Sequence, residues 1–179
     1  HYFLQAYQKA SHYYALASDY YLMMKDSIGW AFSYSNLGLV KIEQDSFKLG
    51  LKIQLAALPI IQKSGREISV GNTYHYIGIA YLGLNQLDSA VIYYDSIMYF
   101  TKSIAAAESK YHICEIAYER KNYELCESLI MELVQQKPSY DYWLAKGILL
   151  LGDNFTAQND YFNAKHSVES IIENYDGFN

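Results

Sequence analysis

The residues of this chain that could do chemistry are five histidines, two cysteines and nineteen Asp and Glu side chains. None of them has a spacing typical of an active site, because the sequence contains no HExxH pair, no nucleophile elbow and no phosphate-cradling glycine loop. The acidic residues are scattered over predicted helix faces, where solvation is the default. We therefore expect no catalytic residues, no cofactor and no enzymatic activity.

Metal binding is the one further chemistry that these residues suggest. His75 and His112 occupy nearly equivalent places in two successive units of the repeat described below, and Glu108 and Glu115 lie near His112 in sequence. Imidazole and carboxylate are zinc ligands, but no two of these residues have the local spacing of a familiar metal site. We favour the interpretation that they are polar residues lining a binding surface, and we expect no metal.

A repeated pattern of small and large residues organises the chain. Small residues recur every 36 to 40 positions at Ala10, Gly50, Ala90, Cys126 and Ala164. A large apolar residue stands three positions before each of them, at Tyr7, Phe47, Leu87, Tyr123 and Tyr161. A second small residue, preceded by an aliphatic one, lies twelve positions before four of them, at Gly38, Gly78, Cys114 and Gly152. Small residues on both helices of a pair let the backbones approach closely, and such pairs must stack to bury their apolar stripes.

The stretch YIGIAYLGLNQLDSAVIYYDSI, residues 76–97, illustrates one unit of this pattern. Apolar residues have helical spacing in both halves, and Asn85 and Asp88 between them supply turn and helix-start chemistry. The stretch is therefore predicted to be two antiparallel helices. Elsewhere, Asp26, Asp45 and Ser103 are predicted N-caps.

The spacing resembles that of the tetratricopeptide repeat (TPR) family. One unit matches its pattern with Ile77-Gly78, Tyr81, Ala90 and Tyr94, and another matches with Leu151-Gly152, Phe155 and Ala164. Pro138 stands where the family's closing proline belongs. The units are longer than the usual 34 residues, Cys114 and Cys126 replace glycine and alanine, and Gln54 replaces an aromatic residue. The resemblance implies an all-α fold, a right-handed α-solenoid of antiparallel helix pairs with about nine helices.

The predicted domain is a single TPR-like solenoid over residues 1–179. It comprises a helix at 2–22 and repeats near 27–63, 67–101, 104–136 and 140–174. The helix at 2–22 matches the second helix of a unit, so its partner would lie upstream and we expect the chain to be a fragment of a longer protein. This helix is rich in Tyr and Leu and has no polar cap, which makes self-association through terminal helices an expectation.

Cys114 and Cys126 occupy the facing small positions of one predicted helix pair. Their Cα atoms would then lie within the disulfide range of about 4.4–6.8 Å, and the two could bond in an oxidising periplasm. The alternative, which we favour, is a pair of buried free thiols that act as small apolar residues.

Composition limits the classes of partner. The net charge of −5 argues against a dedicated nucleic-acid binder, which needs a basic face. No apolar run approaches the roughly 20 residues of a transmembrane helix, so no direct membrane insertion is expected. The 20 tyrosines suit helix packing and partner surfaces, because tyrosine gives a large contact area at low entropic cost.

The TPR resemblance implies that the first helix of each unit lines a concave groove that binds a partner. In such a groove, aromatic residues anchor a partner and polar residues set its register. Glu108, Glu115 and Asp153 favour a neutral or basic segment. The matching positions in this chain are Phe32, Ser35, Asn36, Leu39, Asn72, His75, Tyr76, Ile79, Glu108, Tyr111, His112, Glu115, Tyr118, Lys146, Leu149 and Asp153.

Two functions follow from the resemblance. The first, which we favour, is a protein–protein interaction scaffold that binds a peptide or helix within a larger bacterial assembly. The alternative is a ligand- or peptide-sensing regulatory module of a signalling protein. Residues 140–177 look like repeats of TPR proteins from gliding or type IX-secreting bacteria, whereas residues 72–97 look more like TPR sensor regions of histidine kinases. The first likeness favours a periplasmic or outer-membrane-associated location, with a cytoplasmic one as the alternative.

Overall fold

The computed structural model describes residues 2–97, 103–137 and 139–174. The described residues form nine α-helices and no strand. Residues His1–Phe100 make one compact unit and residues Thr101–Asn179 a second, here called the first and second units. The first unit contains α1 (Tyr2–Met23), α2 (Ser27–Glu43), α3 (Phe47–Lys63), α4 (Glu67–Gly83) and α5 (Leu87–Ile97). The second unit contains α6 (Ile104–Glu119), α7 (Tyr123–Gln135), α8 (Asp141–Ala157) and α9 (Tyr161–Asn174).

Three-residue turns of one type join most of these helices. The central residue of each turn is left-handed, with φ between 56° and 70°, at Lys25, Asp45, Gly65, Asn85, Lys121 and Asn159. In the turn at Asn85, the Asn85 N–H donates to the Leu82 carbonyl at 2.9 Å, and the Gln86 N–H donates to the Tyr81 carbonyl at 2.9 Å. These bonds satisfy the last carbonyls of α4, as in a Schellman motif. Residues 76–97 are therefore two helices, as predicted.

Helix starts agree with two of the three predicted caps. The Asp26 side chain accepts from the Gly29 N–H at 2.9 Å, and the Ser103 hydroxyl accepts from the Ala106 N–H at 3.1 Å. Caps of this kind stabilise a helix by about 1 kcal/mol. The prediction for Asp45 is wrong. Its φ of 57° makes it the left-handed residue of the turn, and Ser46 holds the N-cap position of α3 instead.

Within the first unit, each helix packs on the next in sequence, and α2 also contacts α4. The paired small residues of the repeat face each other, because a Cβ on Gly50 would lie 3.0 Å from the Gly38 carbonyl oxygen. In the next pair, Gly78 faces the fully buried ring of Tyr94, and a Cβ there would lie 2.5 Å from a ring carbon. Glycine is thus needed at position 78 to admit a large aromatic residue.

The second unit repeats this arrangement, since α6, α7, α8 and α9 pack in sequence and α6 also contacts α8. Cys114 and Cys126 are buried in the α6–α7 pair and are free thiols in this structure. Burial, and then the nearby Cys126, raise the pKa of the Cys114 thiol far above its ordinary value. Burial, and then Glu127, raise the pKa of Cys126 to about 11. In this state both side chains pack as small apolar residues.

The all-α, solenoid-like architecture is confirmed, since helix pairs stack in sequence order within each unit. The predicted helix at 2–22 and the predicted limits of the four repeats agree with the observed helix ends to within two residues where both lie among the described residues. Residues 98–101 of one predicted helix and Pro138 lie outside the described residues. The right-handed superhelix and the single domain over residues 1–179 stay predictions. Among the helices that the structure describes, none combines the length and apolar character needed to cross a membrane.

Candidate functional site

Seven side chains on α6 and α8 form a continuous polar and aromatic cluster in the second unit. The two helices are the first helices of their predicted repeats, and they pack side by side. The cluster combines carboxylates, a lysine, a histidine and three other aromatic rings. Its members, called here the α6–α8 cluster, are Glu108, Tyr111, His112, Glu115, Tyr142, Trp143 and Lys146.

The α6 half of this cluster is a hydrogen-bonded network centred on Glu115. The Tyr111 hydroxyl donates to Glu115 Oε1 at 2.6 Å, and His112 Nδ1 lies 2.7 Å from Glu115 Oε2. On the opposite side of the ring, His112 Nε2 lies 3.8 Å from Glu108 Oε1. Spacings of three and four residues place these groups on one helix face. The two carboxylates therefore flank one imidazole.

This network shifts the pKa of each of its central members. Burial alone would lower the pKa of His112, but bonds to Glu108 and Glu115 outweigh it and raise that pKa above its ordinary value of 6.5. Burial works to raise the pKa of Glu115, but bonds from His112 and Tyr111 hold it below its ordinary value. Burial, and then the Glu115 carboxylate, raise the pKa of the Tyr111 hydroxyl. The imidazolium and the carboxylate thus stabilise each other's charged forms.

We expect the second unit to lose stability as the pH rises above about 6.5, because the pKa of His112 is raised by folding. The stabilising contribution of the protonated ring is complete below the ordinary pKa and is lost as the pH rises through the folded-state pKa. Urea unfolding of the full chain at about pH 6 and about pH 8.5, followed by Trp143 emission in a Trp30→Phe background, measures this change. His112→Gln should show a smaller loss, and an equal loss in both proteins would contradict the prediction.

The α8 half of the cluster places a cation over aromatic rings. The Lys146 ammonium lies 4.3 Å from the ring centroid of Tyr111, 4.9 Å from Trp143 and 5.8 Å from Tyr142. The Trp143 ring is also 5.5 Å from the Tyr111 ring and 4.9 Å from the Tyr142 ring. Attraction between a cation and a ring face extends to about 6 Å. Lys146 also lowers the pKa of Glu115 through its charge, so it lies within electrostatic reach of that carboxylate.

An exposed stripe along α8 extends this surface. Tyr142, Lys146, Leu149 and Asp153 recur every three or four residues, which places them on one helix face. Tyr142 is 60% exposed and Leu149 is 46% exposed, and Asp153 is also exposed. The stripe therefore offers apolar, aromatic and acidic groups to solvent, and its Lys146 lies within electrostatic reach of Glu115 on α6.

In the first unit, two of the predicted groove residues line a cavity. Phe32 and Asn36 on α2 border a space of about 340 Å³, together with Tyr21, Asp26 and Arg66. The Arg66 guanidinium lies 4.9 Å from the Phe32 ring centroid. This cavity is mixed in polarity and lies between the end of α1, α2 and the start of α4.

Two other predicted groove residues have to be reassigned to the interior. Ser35 is 6% exposed, and its hydroxyl donates to Gln54 Oε1 at 2.7 Å while Gln54 Nε2 donates to the Ser35 carbonyl at 2.8 Å. His75 is 4% exposed, and its ring lies 6.0 Å from the Tyr94 ring. Both side chains are buried between helices, so neither is accessible to a partner.

The remaining predicted positions differ in accessibility. Asn36 is exposed, like Leu149 and Asp153. Tyr118 packs its ring against that of Tyr123, with centroids 6.1 Å apart, and so supports the start of α7. Tyr111 is buried within the α6–α8 cluster, with its hydroxyl bonded to Glu115 and its ring beneath the Lys146 ammonium. The half-buried positions are Phe32, Leu39, Asn72, Tyr76, Ile79, Glu108, His112, Glu115, Tyr118 and Lys146.

Sequence reasoning missed Tyr142, Trp143 and Arg66. Tyr142 and Trp143 stand four and three residues before Lys146, which is the spacing at which helical side chains meet. That signal is present in the sequence, but the TPR positions that guided the prediction do not include these residues. Across the part of the chain that the structure describes, no three His, Cys, Asp or Glu side chains are grouped so as to hold a metal ion.

Comparison with known proteins shows a likeness that concerns the fold. No family model matches the chain, and no curated protein sequence matches it. Among solved structures, the chain is similar to BtubC (BKLC) from P. vanneervenii, with a TM-score of 0.80 and 15% sequence identity. The match covers 94% of this chain and 72% of that one. At this identity the likeness supports the all-helical, solenoid-like fold and carries no function.

Proposed function

We propose that this chain is a protein–protein interaction module that binds a basic segment of a partner protein on the face formed by α6 and α8. The observation that carries the proposal is the α8 stripe, in which Tyr142, Leu149 and Asp153 are exposed and Lys146 belongs to the cluster that holds the two α6 carboxylates. Exposed aromatic and aliphatic groups can anchor a partner, and carboxylates beside them select basic side chains.

The position of this face in the repeat supports the proposal. By the TPR resemblance, α6 and α8 are first helices, and that family uses its first helices to bind peptides and helices of other proteins. We therefore propose that this helical repeat binds a partner protein through its first helices, as TPR proteins do, within a larger bacterial assembly. In the α6–α8 cluster, the Tyr111 hydroxyl that is bonded to Glu115 is buried and its pKa is raised, which makes it a poor nucleophile, so binding fits the cluster better than catalysis does.

The distribution of charge along the chain favours a basic partner segment. Residues 1–100 contain seven Lys and Arg against seven Asp and Glu, and are therefore neutral. Residues 101–179 contain seven Lys and Arg against twelve Asp and Glu, so the entire net charge of −5 belongs to the second unit. A concentrated negative charge accelerates association with cationic partners and discriminates against acidic ones.

Selection from a displayed library of random peptides tests the proposal. The full-length chain should enrich peptides rich in Lys and Arg, and a Glu108→Gln/Glu115→Gln variant should lose that enrichment because the cation-selecting carboxylates are gone. Glutamine has the size of glutamate, and at position 115 its oxygen can accept from the Tyr111 hydroxyl while its amide group can donate to Nδ1 of a neutral His112, so the packing of α6 can persist.

The matched control is Glu124→Gln/Glu169→Gln, which makes the same change of charge in the second unit on α7 and α9. This variant should still enrich basic peptides. The proposal would be overturned if the unaltered chain enriched no basic sequences, or if both double variants lost the enrichment equally.

A further inference from the structure

We propose that Lys146 is an internal ligand: its ammonium occupies a cation-binding cage of Tyr111, Tyr142 and Trp143, and a Lys or Arg side chain of a partner protein displaces it. The cage is a subsite of the face described above, so the inference rests on the proposed function. It identifies the residues that recognise the partner's cation and the intramolecular competitor that limits affinity.

The geometry fits a cation site built on three faces. Three ring centroids surround the Lys146 ammonium at 4.3, 4.9 and 5.8 Å, all within the range of cation–ring attraction. The rings also hold one another, since Trp143 contacts Tyr111 at 5.5 Å and meets Tyr142 edge-on at 4.9 Å. The cage is thus organised by ring–ring packing and by the Tyr111–Glu115 bond, and none of these contacts depends on Lys146.

Charge complementarity identifies the occupant as a basic side chain. Glu115 lies beside the cage, held by Tyr111 and His112, and its carboxylate adds a negative charge to the negative ring faces. In the absence of a partner, Lys146 satisfies this site from within the same helix, three residues after Trp143 and four after Tyr142. An incoming Lys or Arg gains the same contacts, and the displaced Lys146 ammonium is then hydrated at the helix surface, because a long flexible stem lets it reach water.

The mechanism of exchange requires only a change of side-chain rotamer. Tyr142 is exposed and Lys146 is half-buried, so the cage opens to solvent on the side from which a partner would approach. Lysine has four rotatable bonds, and its release from the rings recovers conformational entropy. The free site is therefore self-occupied, and its affinity for an external cation is lowered by the fraction of time that Lys146 fills the cage.

Fluorescence titration of the full-length chain tests the inference. Trp30→Phe leaves Trp143 as the one tryptophan, since the sequence contains two. The probe is an acetylated, amidated peptide of alternating glycine and arginine, added at constant ionic strength. Lys146→Gln should lower the Kd for this peptide by about tenfold, because the competitor for the cage is removed. Lys146→Met, which also removes the ammonium but keeps a long apolar side chain, should give the same change and serves if the glutamine variant fails to fold.

The matched control is Lys165→Gln on α9, where Lys165 is exposed and pairs with Glu169. It removes the same charge from the second unit outside the cage, so its effect on the Kd should be less than about twofold. Equal tightening by Lys146→Gln and Lys165→Gln would reduce the effect to net charge and overturn the inference, as would no tightening by either Lys146 variant.

The titration and the peptide selection separate two hypotheses: that Lys146 competes for the cage, and that the face formed by α6 and α8 binds a basic partner. If peptide selection enriches basic sequences that bind equally well to the unaltered and Lys146→Gln chains, the face binds a partner but Lys146 does not compete. If Lys146→Gln binds the arginine peptide more tightly while selection enriches nothing basic, the cage exists and the partner assignment is wrong.

Discussion

Replacing Tyr94 by Ala is expected to lower the free energy of unfolding of the first unit by about 3–5 kcal/mol, the range for removing a buried aromatic side chain. Tyr94 is the largest fully buried side chain in the part of the chain that the structure describes, and its ring fills the space over Gly78. Urea unfolding of the full chain, followed by Trp30 emission in a Trp143→Phe background, reports on this unit.

The same site provides a test of why position 78 is glycine. Gly78→Ala alone should cost about 1–3 kcal/mol, because its Cβ would lie 2.5 Å from a carbon of the Tyr94 ring. In the Tyr94→Ala background the ring is absent, and alanine should then be favoured over glycine by up to about 1 kcal/mol through helix propensity. The two effects would thus have opposite signs. Equal costs of Gly78→Ala in both backgrounds would contradict complementarity between this glycine and this ring.

The second large effect is expected at Gln54, whose amide is fully buried between α2 and α3. Gln54→Leu should cost about 1–3 kcal/mol, because it leaves the buried Ser35 hydroxyl without the acceptor that it has at 2.7 Å. The measurement is the same urea titration of the first unit, followed by Trp30.

A double variant separates the hydrogen bonds from packing. Ser35→Ala/Gln54→Leu removes both partners, so no orphaned hydroxyl remains, and the double variant should be more stable than Gln54→Leu alone. Strictly additive losses would show that the pair contributes through packing only. In either case Ser35→Ala should leave binding on α6 and α8 unchanged, because Ser35 is an interior residue of the first unit.

The helix pairs were predictable because their signal is local. Small residues twelve positions apart, as in Gly38 and Gly50, meet across the helix pair that the sequence predicts. The roles of the residues in the turns were harder to predict from the sequence. Asp45 has the side chain of an N-cap but occupies the left-handed turn position that Asn85 and Gly65 fill elsewhere. Both roles favour Asp, so residue type alone could not separate them.

The accessibility of the proposed binding residues was predictable only in part, for a physical reason. The TPR resemblance indicates which residues lie on the first helix of each unit, but the burial of an individual side chain depends on the size of its neighbours. His75 is covered because the Tyr94 ring lies beside it, and Ser35 is covered because the buried Gln54 side chain hydrogen-bonds to its hydroxyl and its carbonyl. The aromatic cage depends on contacts of Tyr111 on α6 with Trp143 and Lys146 on α8, and these two residues are more than 30 positions from Tyr111 in sequence.

Site-specific photo-crosslinking in the organism that encodes the chain tests directly whether a partner protein binds the face formed by α6 and α8. A benzophenone amino acid at Leu149, exposed on the α8 stripe, is compared with the same probe at Lys165, exposed on α9. We expect a discrete protein adduct from position 149 that is absent from position 165 and is lost on Glu108→Gln/Glu115→Gln. Identical adducts from both positions, or no adduct from position 149, would contradict the assignment of the α6–α8 face as the binding surface.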